Sequence, residues 1–288
     1  MFKALWSSQY RFYWWMILLA GFLLRIYNLN LPLLESQPNR QVIDAFIIRQ
    51  LYRPDTLSQV DFSLLGFPVY HSLVASLYYL FGNENLFWGR LVSVIASLIN
   101  FVIFAALVRL LVSEKIALLS SFFFFVLSPI SLVLSRAIQI EQTSLTFGLA
   151  AIYFLSIWSQ RHRQSYWLSL FFFTLTLAQE ATLAYLSFPL LAIFYVKDKH
   201  SFFKSFRLWF YFLTSLIVAG CWYFLIMAKF NQSFSNGWNV ALNPRIWINL
   251  PSLISLKFWV NAFYHFQEWS ITSLGTVLVV LGLFTLPF

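Results

Sequence analysis

The chain contains 288 residues, of which 60% are hydrophobic and 10% are charged. Soluble domains carry about 25% charged residues, so this composition excludes an ordinary soluble domain and predicts an integral membrane protein. The single cysteine, Cys221, excludes an internal disulfide and a cysteine-based metal site. The net charge of +9 does not indicate a nucleic-acid partner, because most of the excess lies in short loops, where it orients membrane spans.

The first hydrophobic run covers residues 12–27 and predicts a retained membrane span, since no small-residue cleavage site follows it. Arg25 lies near the end of this run. We expect the Arg25 side chain to snorkel to the membrane interface, with contact to a bound anion as the alternative. The density of Lys and Arg in the short loops places the N-terminus on the inner side.

An outer loop of residues 28–86 follows, and its first helical segment is residues 39–52. Apolar side chains recur there at helical spacing, and Pro38 suits the first turn. Arg40 and Asp44 are four residues apart, so they share the opposite, polar face.

A second helical segment in this loop opens at Pro68 and closes at Gly82, which is the expected punctuation of a helix. Both segments have about fourteen residues, too few to cross a bilayer. We therefore expect two amphipathic helices that lie along the membrane interface.

The remaining hydrophobic runs complete an all-α, polytopic single domain of about eight spans, with a second outer loop at residues 229–270. The predicted spans are residues 12–27, 87–109, 117–135, 141–158, 168–179, 182–196, 207–228 and 271–288. Residues 168–196 could form one tilted helix. We favour two short helices that turn at residues 178–180, because Gln179 and Glu180 would be costly at the centre of one membrane helix.

Carboxylates cluster on the predicted outer side. Eight of the ten Asp and Glu residues fall there: Glu35, Asp44, Asp55, Asp61, Glu84, Glu141, Glu180 and Glu268. Because carboxylates beside lipid are costly, this clustering indicates a reaction or recognition site at the outer face. The loop of residues 229–270 adds four tryptophans, which form either an aromatic belt or a platform for sugar stacking.

Several motifs resemble a known family in their order and spacing. They are Glu35-Ser-Gln-Pro-Asn-Arg-Gln-Val-Ile-Asp44, Phe67-Pro-Val-Tyr-His71, Leu127-Ser-Pro129 and Ser135-Arg-Ala-Ile-Gln-Ile-Glu141. This order resembles bacterial GT-C glycosyltransferases related to the dolichyl-phosphate-mannose-protein mannosyltransferases and the aminoarabinose transferases of lipid A. Those enzymes take a sugar from a polyprenyl-phosphate donor at the outer face and pass it to an acceptor.

The resemblance covers residues 11 to about 200 and implies a GT-C-like fold. It also implies a multi-pass protein of the bacterial plasma membrane, with its active site on the periplasmic face. Members of this family are normally longer, so we expect the sequence to be short at its C-terminal end.

The resemblance further implies a carboxylate base in the first outer loop, which takes the proton of the acceptor hydroxyl. Asp44 and Glu35 are the two catalytic candidates, with Asp44 slightly favoured and a solvated loop carboxylate as the alternative for each. Glu141, at the outer start of the fourth span, is expected to orient the acceptor or bind sugar hydroxyls. An acid that complements the helix dipole is the alternative for Glu141.

The leaving lipid phosphate calls for cations, and the planar fork of arginine matches phosphate oxygens. Arg136, Arg40 and Arg49 are the substrate-binding candidates. Arg90 is a weaker candidate. Snorkelling to lipid phosphate is the alternative for each arginine, and it is favoured for Arg90.

Three further polar residues are substrate-binding candidates. The family often places Lys or Arg at the turn between the fifth and sixth spans, where this chain has Gln179 and Glu180. Gln179 can donate a hydrogen bond but supplies no charge, which puts the donor contact in doubt. His71, on the second interfacial helix, is either a substrate contact or only a residue of its polar face.

Other catalytic classes lack support, because the sequence has no phosphate-binding Gly-rich loop, zinc-protease helix or nucleophile elbow. No cofactor or metal is required, although acidic residues with waters could hold a divalent cation. The expected partners are a polyprenyl-phosphate sugar donor, an unidentified acceptor and membrane lipid. The alternatives are a transporter or lipid-translocating protein, with ionisable residues at mid-membrane, and a catalytically inactive GT-C-like scaffold.

Overall fold

A computed structural model describes residues 8–27, 29, 38–53, 66–111, 113–122, 125–126, 128–160 and 162–230 of the chain. Every regular element in these residues is helical, and no strand occurs among them. This part of the chain is therefore all-α, as the hydrophobic periodicity predicts. The predicted loop of residues 229–270 lies almost wholly outside the described residues, and the span of residues 271–288 lies entirely outside them.

Ten α-helices occur among the described residues. They are α1 (Ser8–Ile26), α2 (Pro38–Tyr52), α3 (Val69–Phe81), α4 (Leu86–Leu111), α5 (Glu114–Phe122), α6 (Pro129–Ser135), α7 (Glu141–Ser159), α8 (Gln164–Gln179), α9 (Ser187–Asp198) and α10 (Phe206–Phe230). Two 3₁₀ helices, Ala181–Leu186 and Lys199–Lys204, precede and follow α9.

Three of the described segments are long and apolar enough to cross a membrane: Leu86–Leu110, Ala181–Asp198 and Phe206–Ile226. The chain is therefore a helical membrane protein. Helix α8 has 16 residues, and α1 includes two arginines, so neither is as clear a span by length and composition alone. The number of eight spans stays a prediction.

The residues of the span predicted over 117–135 do not form one continuous α-helix. Helix α5 ends at Phe122, a π-helical turn occupies residues 125–126, and α6 begins at Pro129. Proline has no N–H to donate and disfavours a helical conformation in the residue before it. Ser128 is accordingly extended, and its side chain caps the first turn of α6.

Arg25 occupies the interior of the bundle beside this break, with its side chain fully buried. Its Nη2 donates to the carbonyl oxygen of Phe125 (2.6 Å) and to Ser131 Oγ (2.9 Å), and its Nε donates to Ser97 Oγ (2.8 Å). The guanidinium also lies 3.8 Å from the centre of the Phe125 ring. The prediction that Arg25 snorkels to the interface is therefore wrong for the folded bundle, where the side chain satisfies a carbonyl at the broken helix.

The turn predicted at residues 178–180 is confirmed. Helix α8 ends at Gln179, and Glu180 has an extended backbone (φ −148°, ψ 95°). At the other end of the bundle, Lys197 Nζ of α9 donates to the carbonyl oxygen of Trp158 near the end of α7 (2.8 Å). Helix α9 therefore runs antiparallel to α8, and the two polar residues lie at a helix end instead of the middle of a span.

Helix α10 runs parallel to α8, and tyrosine side chains tie the two together along their length. The bonds run from Tyr166 Oη to Arg207 O (2.9 Å), from Tyr211 Oη to Ser169 O (3.1 Å) and from Tyr223 Oη to Leu177 O (3.1 Å). Around them, the largest buried apolar cluster of the described residues joins α7, α8, α9 and α10. These four helices form the main packed core of the described residues.

The two helices predicted in the first outer loop are confirmed in their bounds. Helix α2 begins at Pro38, and Gly82 ends α3 in a left-handed conformation (φ 64°), with its N–H donating to Tyr78 O (2.9 Å). The apolar stripe of α2 is split between two environments. Val42 and Phe46 are exposed, whereas Ile47 is buried.

Candidate active site

Helices α2 and α3 pack on each other and on the start of α7. A buried apolar cluster of Ile48, Tyr70, Val74, Ile138 and Ile140 joins them. Because Ile140 directly precedes Glu141, this cluster fixes the outer-loop helices at the end of the bundle where α7 begins. The polar face of α2 is thereby turned into the protein.

Asp44 and His71 form a buried pair between α2 and α3. The distance from His71 Nε2 to Asp44 Oδ1 is 2.8 Å, and the two residues are 2% and 5% exposed, respectively. A carboxylate oxygen can only accept a hydrogen bond, so His71 donates through Nε2. Asp44 Oδ2 and His71 Nδ1 are also buried, and neither has a partner among the described residues. The pair thus presents one acceptor oxygen and one ring nitrogen for a ligand.

Tyr70 is a buried phenol that lies within the electrostatic influence of both Asp44 and Glu141. Its hydroxyl donates to the carbonyl oxygen of Gly89 (3.0 Å), and the charges of Asp44 and Glu141 both act on it. Burial raises the pKa of Tyr70 far above its usual range, and the two carboxylates raise it further. Tyr70 therefore stays a neutral phenol.

The turn at Gln179 and Glu180 closes another side of this region. Gln179 Nε2 donates to Thr143 Oγ1 (2.6 Å) in the first turn of α7, while Gln179 Oε1 is buried without a partner among the described residues. The N–H of Phe67 donates to Ala178 O (2.7 Å), which docks the chain just before α3 on the same turn. Elements distant in sequence thus converge at the N-terminal end of α7.

A sequence profile of the dolichyl-phosphate-mannose-protein mannosyltransferase family matches residues 67–228, more than half of the chain. The chain belongs to the dolichyl-phosphate-mannose-protein mannosyltransferase family. Membership supports a glycosyltransferase of the GT-C type in general. No curated protein and no solved structure gives a significant match to the chain.

The match to the mannosyltransferase family begins at Phe67 and includes His71, Glu141 and the turn at residues 179–180. Asp44 lies before the matched residues, so its association with them comes from the geometry of α2 and α3. Glu35 also precedes the match, and it lies outside the described residues.

The predicted phosphate-binding arginines occupy different places in this mannosyltransferase-family chain. Arg136 Nη2 donates to Tyr27 O (2.8 Å), and Arg90 Nη1 donates to Leu29 O (2.5 Å). Both arginines therefore hold the chain just after α1, where the outer loop begins.

Arg49 lies on the surface side of α2. It is 60% exposed, and its Nε lies 3.0 Å from Glu84 Oε2. Arg53 pairs with the same carboxylate. Arg40 belongs to α2, but its side chain is outside the described part of the structure.

Sequence reasoning missed the partnership of Asp44 with His71. The two residues are 27 positions apart on separate helices, and no spacing rule joins them. A second missed feature is Gly66, where an added Cβ would lie 1.9 Å from the carbonyl oxygen of Gln179. The glycine in the sequence was the one available signal for this close approach.

The described residues contain no group of three or more His, Cys, Asp or Glu side chains placed to hold a metal ion.

Proposed function

We propose that this chain is a membrane glycosyltransferase that moves a sugar from a polyprenyl-phosphate donor to an acceptor hydroxyl at the outer face. Family membership supports glycosyl transfer by a GT-C-type enzyme. The observation that carries the site assignment is the buried Asp44–His71 pair, whose second carboxylate oxygen has no partner among the described residues. Most buried polar atoms in proteins have a hydrogen-bond partner, so a buried carboxylate oxygen without one among the described residues suggests a functional role.

In the proposed reaction Asp44 is the general base. The acceptor oxygen attacks the anomeric carbon, its proton passes to Asp44 Oδ2, and the bond from the anomeric carbon to the donor phosphate oxygen breaks. Polyprenyl phosphate leaves, and the displacement inverts the anomeric configuration. His71 holds the carboxylate through Oδ1, so that Oδ2 is directed at the acceptor.

Glu35 is the alternative base, because it lies in the same loop shortly after α1. Arg90 and Arg136 hold the start of this loop through the carbonyl oxygens of Leu29 and Tyr27. The loop that carries Glu35 therefore starts beside Arg90 and Arg136.

The remaining polar residues bind substrate in this proposal. Glu141 accepts hydrogen bonds from sugar or acceptor hydroxyls, and Gln179 contributes a neutral amide at the turn. Arg136 and Arg40 supply positive charge to the leaving phosphate. The protein would lie in the bacterial plasma membrane with this end facing the periplasm.

Replacing Asp44 by Asn tests the proposal. The variant keeps the shape of the side chain but removes the base, so we expect sugar transfer to fall at least about 100-fold. The measurement is release of polyprenyl phosphate from synthetic polyprenyl-phosphate mannose by the purified chain, with a cell-envelope extract as the source of acceptor.

Glu84→Gln is the matched control, because Glu84 is also a carboxylate of the outer side but pairs with Arg49 and Arg53 at the surface. We expect its activity to stay within about twofold of the wild type. Equal activity of Asp44→Asn and the wild type would overturn the assignment of Asp44, and Glu35→Gln would then test the alternative base. Binding of the donor without any transfer by the wild type would favour the inactive scaffold.

A further inference from the structure

A cavity of about 740 Å³ opens at the end of the bundle opposite to the Asp44–His71 pair. Helix α7 runs from one site to the other. It begins with Glu141 at the candidate active site, and Trp158, near its last residue, lines the cavity. The cavity lies where the ends of α7 and α9 meet the starts of α8 and α10.

Three cations line this cavity: Arg163, Lys197 and Arg207. No carboxylate is among its described lining residues. The positive charge of Arg207 repels that of Lys197. The neighbouring carboxylate of Asp198 attracts Lys197 and partly offsets this repulsion. An anion in the cavity would relieve the repulsion between the two cations.

The remaining lining residues are aromatic, and they include Trp158, Tyr166 and Trp167. Lys197 Nζ lies 3.5 Å from the centre of the Trp158 ring and donates to the Trp158 carbonyl oxygen, so its charge is held at the cavity wall. Tyr166 is fixed by its hydrogen bond to Arg207 O. The cavity therefore combines positioned positive charge with apolar walls.

Exposed aromatic side chains surround the mouth of the cavity, with Phe206 77% exposed and Trp167 59% exposed. Aromatic side chains of this kind are enriched at the depth of lipid headgroups. A free phosphate would use only the cations, whereas a phospholipid would use both the cations and the aromatic rim. The combination favours a lipid as the occupant.

We propose that this cavity binds the phosphate headgroup of an anionic phospholipid. Basic pockets between membrane helices bind such headgroups on the cytoplasmic side, and this end of the bundle is the one that the positive-inside rule places there. The cations hold the phosphate, and the aromatic side chains contact the glycerol and the start of the acyl chains.

The test measures binding of phosphatidylglycerol to the purified full chain in detergent, by the shift of its thermal unfolding and by native mass spectrometry. We expect phosphatidylglycerol to bind more tightly than phosphatidylcholine. Arg163→Gln and Arg207→Gln should each lower the affinity for phosphatidylglycerol about fivefold. Arg207→Lys keeps the charge and should keep most of the affinity.

Lys204→Gln is the matched control, because Lys204 is an exposed cation just before α10 that does not line the cavity. Unchanged binding by this variant supports the proposal. An equal loss of phosphatidylglycerol affinity in Lys204→Gln and Arg207→Gln would overturn the proposal, since binding would then depend on general surface charge. If inorganic phosphate shifts the thermal unfolding temperature as much as phosphatidylglycerol does, the assignment to a lipid is overturned.

Discussion

Asp44 joins two properties that rarely occur together in a buried side chain. Its carboxylate lies inside the protein with one hydrogen bond from His71, and its other oxygen has no partner among the described residues. Burying a carboxylate is costly unless hydrogen bonds compensate for the lost water. An oxygen kept in this state is well placed to accept a proton from a bound hydroxyl, and His71 then acts by positioning it.

Replacing His71 tests this positioning role. His71→Leu removes the donor to Asp44, and we expect kcat/KM for sugar transfer to fall about 10- to 100-fold because the base loses its orientation. His71→Gln retains an N–H donor and should recover most of the activity. The measurement compares the two variants in the same donor assay.

Thermal unfolding of both His71 variants provides the control for stability. Similar unfolding temperatures with different activities would support positioning. Equal activities of His71→Leu and His71→Gln would contradict it.

At the scale of helices, local sequence signals predicted bounds well and side-chain environments poorly. Pro38 and Gly82 marked a helix start and a helix end because proline and glycine constrain the backbone locally. The partner of Asp44 could not be predicted, because packing between α2 and α3 depends on contacts far apart in sequence. The break before Pro129 was missed because hydrophobicity continues across it.

The contact of Gly66 with the α8–α9 turn leads to a prediction for these elements. Gly66→Ala would place a Cβ 1.9 Å from the Gln179 carbonyl oxygen, so the segment before α3 must move away from the turn. We expect a loss of stability of about 1–3 kcal/mol and a parallel loss of sugar transfer. Unfolding in mixed micelles and the donor assay measure the two effects.

Gly220→Ala is the control, because an added Cβ at Gly220 in α10 meets no atom within 4 Å among the described residues. We expect it to be neutral or to stabilise the helix by up to about 1 kcal/mol. If both alanine variants behave alike, the docking of the outer loop on the turn is unimportant.

At the largest scale, the two ends of the described helical bundle differ chemically. One end holds Asp44, His71, Glu141 and the turn at residues 179–180, and the other holds the basic cavity. The sequence predicted the clustering of carboxylates at one end, and the density of Lys and Arg in the short loops of the other end, but it did not predict the basic cavity. The placement of the two ends across a membrane follows from the same rule and can be measured directly.

Cysteine labelling tests the orientation in a Cys221→Ala background, where the exposed native thiol is removed. Asn83→Cys lies between α3 and α4, and His162→Cys lies between α7 and α8; both positions are exposed. We expect a membrane-impermeant maleimide to label Asn83→Cys in intact cells and His162→Cys only after the membrane is opened. The reverse pattern would place the Asp44 site in the cytoplasm.

The burial of Arg25 has a consequence for the order in which the protein is made. Two of the acceptors of its guanidinium, Phe125 O and Ser131 Oγ, are 100 and 106 residues further along the chain. Helix α1 therefore leaves the ribosome long before these acceptors exist, and an arginine within a newly inserted helix is costly. Until residues 125 and 131 are synthesised, Nη2 lacks both of these acceptors, whereas Gly21 O within α1 and, later, Ser97 Oγ are available to Nη1 and Nε. The full set of hydrogen bonds that holds Arg25 in the bundle is therefore complete only once α6 has been made.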